Sequence, residues 1–190
     1  GFAFAYFVSG INIWGEGSNV SVDTENEFIR VIYDAGNNPL TGKLMPGDTI
    51  SKDFTVTVIP TDKEKTATYA IYMDITENTF VKCTEDNYDS LTNACTLNAE
   101  ELTYTLKDND GVVLASGDLT GVTGKVRLAK ETKTVDVETT FNYTLEITFV
   151  ETNADQNHNQ NKTINGDVIV EFANEYSTMQ EILAGYNKST

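Results

Sequence analysis

An all-β, antiparallel sandwich preceded by an extended apolar strand is the fold class that this 190-residue sequence predicts. Three observations carry the expectation. Runs rich in Val, Ile, Thr, Tyr and Phe recur along the chain with much period-two alternation, the pattern of half-buried strands. Short turn-like clusters separate them: Gly36-Asn-Asn-Pro39, Pro46-Gly-Asp48, Pro60-Thr-Asp62, Asp108-Asn-Asp-Gly111 and Asn165-Gly166. Helix signals are weak.

The N-terminal element is the segment Gly1-Phe-Ala-Phe-Ala-Tyr-Phe-Val-Ser9. Phe2, Phe4, Tyr6 and Val8 alternate with the small Ala3 and Ala5, and Phe7 interrupts the small face. Apolar residues on both faces imply a strand covered on both sides. Such a terminus needs a home in its own fold, in a membrane or in another subunit. Residues 1–14 fall short of the roughly 20 apolar residues that span a bilayer as a helix, and no other stretch reaches that length. They also lack the long apolar run of a type IV pilin helix. After Gly10 the apolar positions move to the odd face, Ile11 and Ile13. That change of register suggests a bend, with Gly10 as its hinge.

The strand signals continue through Phe28–Tyr33, Thr49–Ile59, Thr66–Ile75, Leu102–Lys107, Val112–Ser116, Lys125–Ala129, a long run Val135–Glu151, and Ile164–Phe172. In Tyr143-Thr-Leu-Glu-Ile-Thr-Phe149, Tyr143, Leu145, Ile147 and Phe149 share one face, and Thr144, Glu146 and Thr148 share the other. This gives about nine strands. Ala99–Glu101 reads as one helical turn, and Ser177–Tyr186 as a short helix with Ser177 or Thr178 capping and Gly185 stopping it. The predicted organisation is an N-terminal strand over 1–10, a sandwich domain over 11–175 and a tail over 176–190.

Composition narrows the function classes. With 13 Lys+Arg against 29 Asp+Glu, a net charge of −16, the chain lacks the basic footprint of nucleic-acid binding and disfavours anionic lipid. Acidity suits an extracellular protein kept soluble by its charge. The alternative is calcium. Asp108–Gly111 looks suggestive, but position twelve from Asp108 is Leu119 rather than an acidic ligand, and the stretch reads better as a hairpin turn. Cys83 and Cys95 read as a local disulfide worth roughly 3 kcal/mol, with two free thiols as the alternative. Four N-x-Ser/Thr sequons, at Asn19, Asn142, Asn161 and Asn187, are candidate glycosylation acceptors. The chain begins with Gly rather than Met, which leads us to expect a signal peptide cleaved ahead of it and an extracellular or cell-surface location.

Catalytic signatures are missing from the sequence. There is no H-E-x-x-H, no Gly-rich phosphate loop and no G-x-S-x-G elbow. The one histidine, His158, sits in the polar loop Asn153–Asn161, where it reads as a solvated residue rather than a catalyst. Carboxylate pairs of the kind that hydrolyse sugars abound, and their abundance singles none out. We therefore expect no enzyme, no cofactor and no metal.

Leu44-Met-Pro-Gly-Asp-Thr-Ile-Ser-Lys-Asp-Phe-Thr-Val56 places a Pro-Gly-Asp turn ahead of a strand with Phe-x-Val. Together with Ala67-Thr-Tyr-Ala-Ile-Tyr-Met-Asp-Ile75, Leu102-Thr-Tyr-Thr-Leu106, Tyr143–Phe149 and Gly166-Asp-Val-Ile-Val170, it resembles the TasA/camelysin family of secreted biofilm-fibre proteins, whose archaeal relatives form bundling pili. The likeness covers residues 44–172. It implies a jelly-roll-like sandwich whose N-terminal segment completes the sandwich of the next subunit, so that Phe2, Phe4, Tyr6, Phe7 and Val8 become a donor strand and the partner is a second copy of the chain. Some family members are described as metalloproteases, but this sequence has no zinc-ligand cluster to match.

Physical chemistry supports a donor role beside the resemblance. Burial of Phe2, Phe4, Phe7 and Val8 contributes about 1.5–3 kcal/mol each, against an association cost of about 4–15 kcal/mol, so ladder hydrogen bonds and Tyr6 must help. A head-to-tail link of this kind propagates into a filament unless its rotation closes a ring. The competing expectation is a monomeric surface or matrix-binding module whose N-terminal strand folds back on itself.

Overall fold

The computed structural model describes residues 9–15, 18–22, 29–36, 40–61, 63–86 and 94–173. They form eleven strands: β1 (Ser9–Gly15), β2 (Ser18–Val22), β3 (Ile29–Asp34), β4 (Leu40–Leu44), β5 (Thr49–Pro60), β6 (Lys65–Asn78), β7 (Leu102–Asp108), β8 (Val113–Asp118), β9 (Gly124–Val135), β10 (Thr139–Phe149) and β11 (Thr163–Phe172). One sheet has the order β4-β1-β11-β6-β9 and the other β2-β3-β5-β10-β7-β8. The predicted antiparallel sandwich is therefore the observed one. A single neighbouring pair, β1 with β11, runs parallel.

Period-two alternation builds the core. Phe54, Val56 and Val58 from β5 and Tyr143, Leu145, Ile147 and Phe149 from β10 point inward, opposite Tyr69, Ile71, Met73 and Ile75 of β6 and Val168 and Val170 of β11. Aromatic contacts fill the core: within the second sheet Phe54 stacks on its cross-strand neighbour Tyr143 with centroids 5.4 Å apart, and Phe80, just past β6, meets Phe149 edge-on at 5.3 Å. The outer faces carry cross-strand threonine pairs, Thr57 with Thr140 and Thr66 with Thr134, each at 2.8 Å. A small second cluster of Ala70, Tyr72 and Ala173 is buried on the outer face of the first sheet, with the Lys125 ammonium 4.3 Å from the Tyr72 ring.

The sandwich has two distinct ends. At the tip lie the β7–β8 hairpin and the β5–β6 and β9–β10 links, which cross from one sheet to the other. At the base lie the β4–β5 turn and the connecting residues 79–86, 94–101, 119–123 and 150–162. The Asp108–Gly111 turn forms as expected. Asp108 Oδ1 accepts the amides of Asp110 and Val112, and Gly111 takes φ +78°.

Four expectations are corrected. The run Val135–Glu151 is two elements: β9 extends to Val135, residues 136–138 turn, and β10 begins at Thr139. The turn Asp136-Val-Glu138 contains no Gly, Pro or Asn, and its single turn-forming residue, Asp136, is a weak signal between two strand-like runs. Ala99–Glu101 forms no helical turn: the Glu101 carbonyl turns to the end of β10, accepting from Val150 N at 2.8 Å. β2 and β4 were not anticipated; both are short edge strands of mixed polarity. The Asn/Gln-biased loop contains a 3-10 turn, Asn157–Asn159. It is also packed rather than solvated. The Ser177–Tyr186 helix and the tail 176–190 lie outside the described residues.

Candidate assembly site

β1 is the element next to the apolar N-terminal segment, and the sheet receives it as an interior strand. Ser9 is in register with Leu44, and Gly10 with both Lys43 of β4 and Thr163 of β11. Gly10 thus lies within the paired strand, and the junction with the undescribed chain falls at Ser9. Phe2, Phe4, Tyr6, Phe7 and Val8 lie outside the described residues. Because β1 runs from base to tip, the chain before Ser9 joins the sandwich at its base.

The start of β11 beside it is pinned. Thr79 N donates to Thr163 O at 2.9 Å, Thr163 N donates to Thr79 Oγ1 at 2.8 Å, and Thr163 Oγ1 donates to Glu77 Oε1 at 2.9 Å. The Asn78 side chain ties the neighbouring β8–β9 loop by donating from Nδ2 to Leu119 O and Val122 O, at 2.6 and 2.9 Å. These bonds give β1 a rigid frame at the point of entry.

Beneath the frame sits a buried polar cluster. Glu101 is 1 % exposed. Its carboxyl group takes Gln156 Nε2 on Oε1 at 2.8 Å and meets His158 Nε2 on Oε2 at 2.5 Å. Gln156 also donates to Val150 O at 2.8 Å and accepts from Thr152 N at 3.1 Å. Asn159, fully buried, makes a two-way bond with the Val81 backbone at 2.8 and 2.9 Å. His158 is therefore not a solvated loop residue: its side chain is 6 % exposed and holds the loop to the base. The sequence signal that could have found this was the amide-rich composition itself, since Asn and Gln can satisfy buried groups as both donor and acceptor. The cluster thus ties the two loops of the base to each other.

Cys83 and Cys95 form a disulfide that closes the same end, and Cys83 bridges to Leu97. The sequons are scattered. Asn19 lies in β2 in register with Tyr33, Asn142 is exposed on β10, and Asn161 is exposed with φ +59° two residues before β11. Asn187 is outside the described residues.

A shallow groove of about 450 Å³ crosses the outer face of the second sheet and is lined by Asp34, Asp53, Asp108 and Asn142 among others. Its carboxylates are occupied locally. Asp34 accepts from Gly36 N at 2.8 Å, Asp53 accepts from Thr144 Oγ1 at 2.7 Å, and Asp108 holds its own turn. They are not arranged as an acid–base pair. Among the described residues, no group of three or more His, Cys, Asp or Glu could hold a metal ion, and no helix is long and apolar enough to cross a membrane.

Four ionisable groups among the described residues, Lys52, Tyr69, Tyr104 and Tyr143, are shifted chiefly by burial inside the sandwich. Desolvation holds the Lys52 ammonium, which donates to Ala35 O at 2.6 Å, below its ordinary pKa, with Asp34 and Asp53 opposing the shift. Desolvation also pushes the Tyr143 hydroxyl well up. It is bonded to the Tyr69 hydroxyl and to Glu131, which add to the shift.

The fold and site define a two-sheet β-sandwich with an N-terminal strand built into its base. No known protein-family model and no curated protein matches the chain.

Proposed function

We propose that the chain is a structural subunit of an extracellular fibre, polymerising head-to-tail when its N-terminal strand enters the sandwich of the next copy. The observation that carries the reading is the continuity at Ser9. β1 is paired on both flanks from Gly10 and with β4 from Ser9, and the sequence directly upstream is Phe-Ala-Phe-Ala-Tyr-Phe-Val, a strand pattern apolar on both faces. A strand of this kind gains ladder hydrogen bonds and burial by joining another sandwich, and a heterologous link propagates. The likeness of residues 44–172 to TasA/camelysin proteins supports the same role, with export, a cell-surface or biofilm-matrix location and no catalytic activity.

Removing residues 1–8 tests it. The shortened chain is expected to stay folded and monomeric, and a synthetic Gly1–Ser9 peptide is expected to bind it and raise its melting temperature. Loss of the folded monomer, with rescue by the peptide absent, would favour a self-contained module that needs its own strand.

A further inference from the structure

Six large apolar side chains are exposed among the described residues: Met45, Val81, Leu97, Val112, Val113 and Val137. Their placement is not random. Met45 follows β4, Val81 follows β6 and Leu97 bridges to Cys83, so these three ring the base. Val112 and Val113 sit at the β7–β8 hairpin and Val137 in the β9–β10 turn, so the other three crown the tip. None lies on the outer face of either sheet, where threonine pairs prevail.

Resting on the fibre reading above, we propose that the base of one copy seats on the tip of the next, with Met45, Val81 and Leu97 against Val112, Val113 and Val137. The occupant of each patch is a second copy of this chain. The position of the N-terminal strand selects it. Ser9 is in register with Leu44, beside Met45, and Gly10 with Thr163, which is bonded to Thr79 near Val81. A neighbour that receives the segment before Ser9 is thereby brought onto the rim around its exit. Eight residues extended reach about 26 Å, enough to run well into a sandwich whose strands are up to 14 residues long. Three side chains per copy are too few for a stable junction, which buries about 800 Å² on each partner. The inserted strand supplies the larger part, and the end-to-end patch sets the axial contact.

Both ends are acidic around their apolar centres, with Asp48 and Glu151 at the base and Asp110, Asp136 and Glu138 at the tip. Monovalent salt should therefore promote the junction by screening like charges.

The test uses the full chain, sedimentation at rising concentration, and two variants: Leu97→Asp at the base and Val112→Asp with Val137→Asp at the tip. Leu97→Ser and Val112→Ser serve as milder substitutes, and unchanged melting curves establish folding. The unsubstituted chain is expected to form long polymers. Each variant is expected to need about tenfold more protein or higher to assemble, as loss of a buried Leu or Val implies. An equimolar mixture of the base and tip variants is expected to stop at dimers, since only one intact junction is available per pair. Polymers of unaltered length from both variants would overturn the end-to-end contact while leaving strand insertion standing. Dissolution of polymers by salt would also overturn it. An unsubstituted chain that stays monomeric and ignores the Gly1–Ser9 peptide would overturn both readings.

Discussion

At the tip, the β7–β8 hairpin closes through residues 109–112 and the β9–β10 link crosses between the sheets through 136–138, each with a local side-chain hydrogen bond, from Asp108 and Thr139. At the base, residues 79–86, 94–101 and 150–162 are held by a disulfide, a buried carboxyl group and a set of side-chain amides. The tip is specified by sequence neighbours, and the base by partners such as Glu101 and His158, which are 57 positions apart. An end built from long-range bonds is also the end at which β1 enters. The difference teaches that long-range bonds are concentrated at the end where β1 begins.

The largest expected effect is at the base. His158→Ala leaves the buried Glu101 carboxyl group with Gln156 alone, and an unsatisfied buried group costs about 1–3 kcal/mol, more where it is charged, with the emptied imidazole site adding to that. Urea unfolding should show it. The control is Lys107→Ala, which removes a 2.6 Å ion pair with Glu146 on the exposed face of the second sheet; that loss should stay within about 1 kcal/mol. Equal losses from the two substitutions would erase the contrast between a bonded base and a solvated surface.

Next comes the disulfide. Replacing Cys83 and Cys95 by Ser opens a loop with a 12-residue separation and should cost about 3 kcal/mol. Hydrogen exchange should report the loss first around Val81 and Leu97, and the amides of the β7–β8 hairpin should keep their protection until global unfolding.

How far the sequence exposed this contrast follows from the same physics. The alternation in Phe54–Val58 and Tyr143–Phe149 made the strands legible, because each inward residue meets the core through its own position in the pleat. The Asp108–Gly111 turn was legible because its bonds are local. The Glu101–His158 contact was not, since its two members belong to different loops and neither carries a periodic signal. The end of β9 was hidden for another reason: a bulge opposite Ile71 and Tyr72 shifts its faces, so Glu131 and Lys133 line up where alternation expects otherwise. Of the N-terminal region, the register of Ser9 and Gly10 required the sheet, because pairing with Leu44 and Thr163 is a long-range property.

Two buried tyrosines refine the comparison on a finer scale. Toward the tip, the Tyr143 hydroxyl is satisfied by Tyr69 and Glu131. Tyr143→Phe strands those partners and should cost about 1–3 kcal/mol at neutral pH, read by thermal unfolding.

Tyr104, in the base half, is the opposite case and carries the smallest neutral-pH effect. Its ring is 1 % exposed and lies against Gly117, where an added Cβ would approach its ring carbon to 3.0 Å; no described residue partners its hydroxyl. Tyr104→Phe removes an unsatisfied polar atom, so stability should be unchanged or higher by up to about 1 kcal/mol. The alkaline limb separates this from a silent substitution. Burial raises the Tyr104 hydroxyl from 10.0 to about 12, so the folded state holds its proton more tightly than the unfolded chain. The resulting stability is fully present below about pH 10 and is lost as pH climbs from 10 toward 12. Tyr69 and Tyr143 are raised in the same direction. Lys52 acts oppositely, its burial cost falling as pH approaches 10.5. In a pH titration followed by circular dichroism, Tyr104→Phe should therefore move the alkaline unfolding midpoint upward. A midpoint unchanged from the parent would mean that water reaches the Tyr104 hydroxyl, and that the base is less tightly closed than its bonded partners imply.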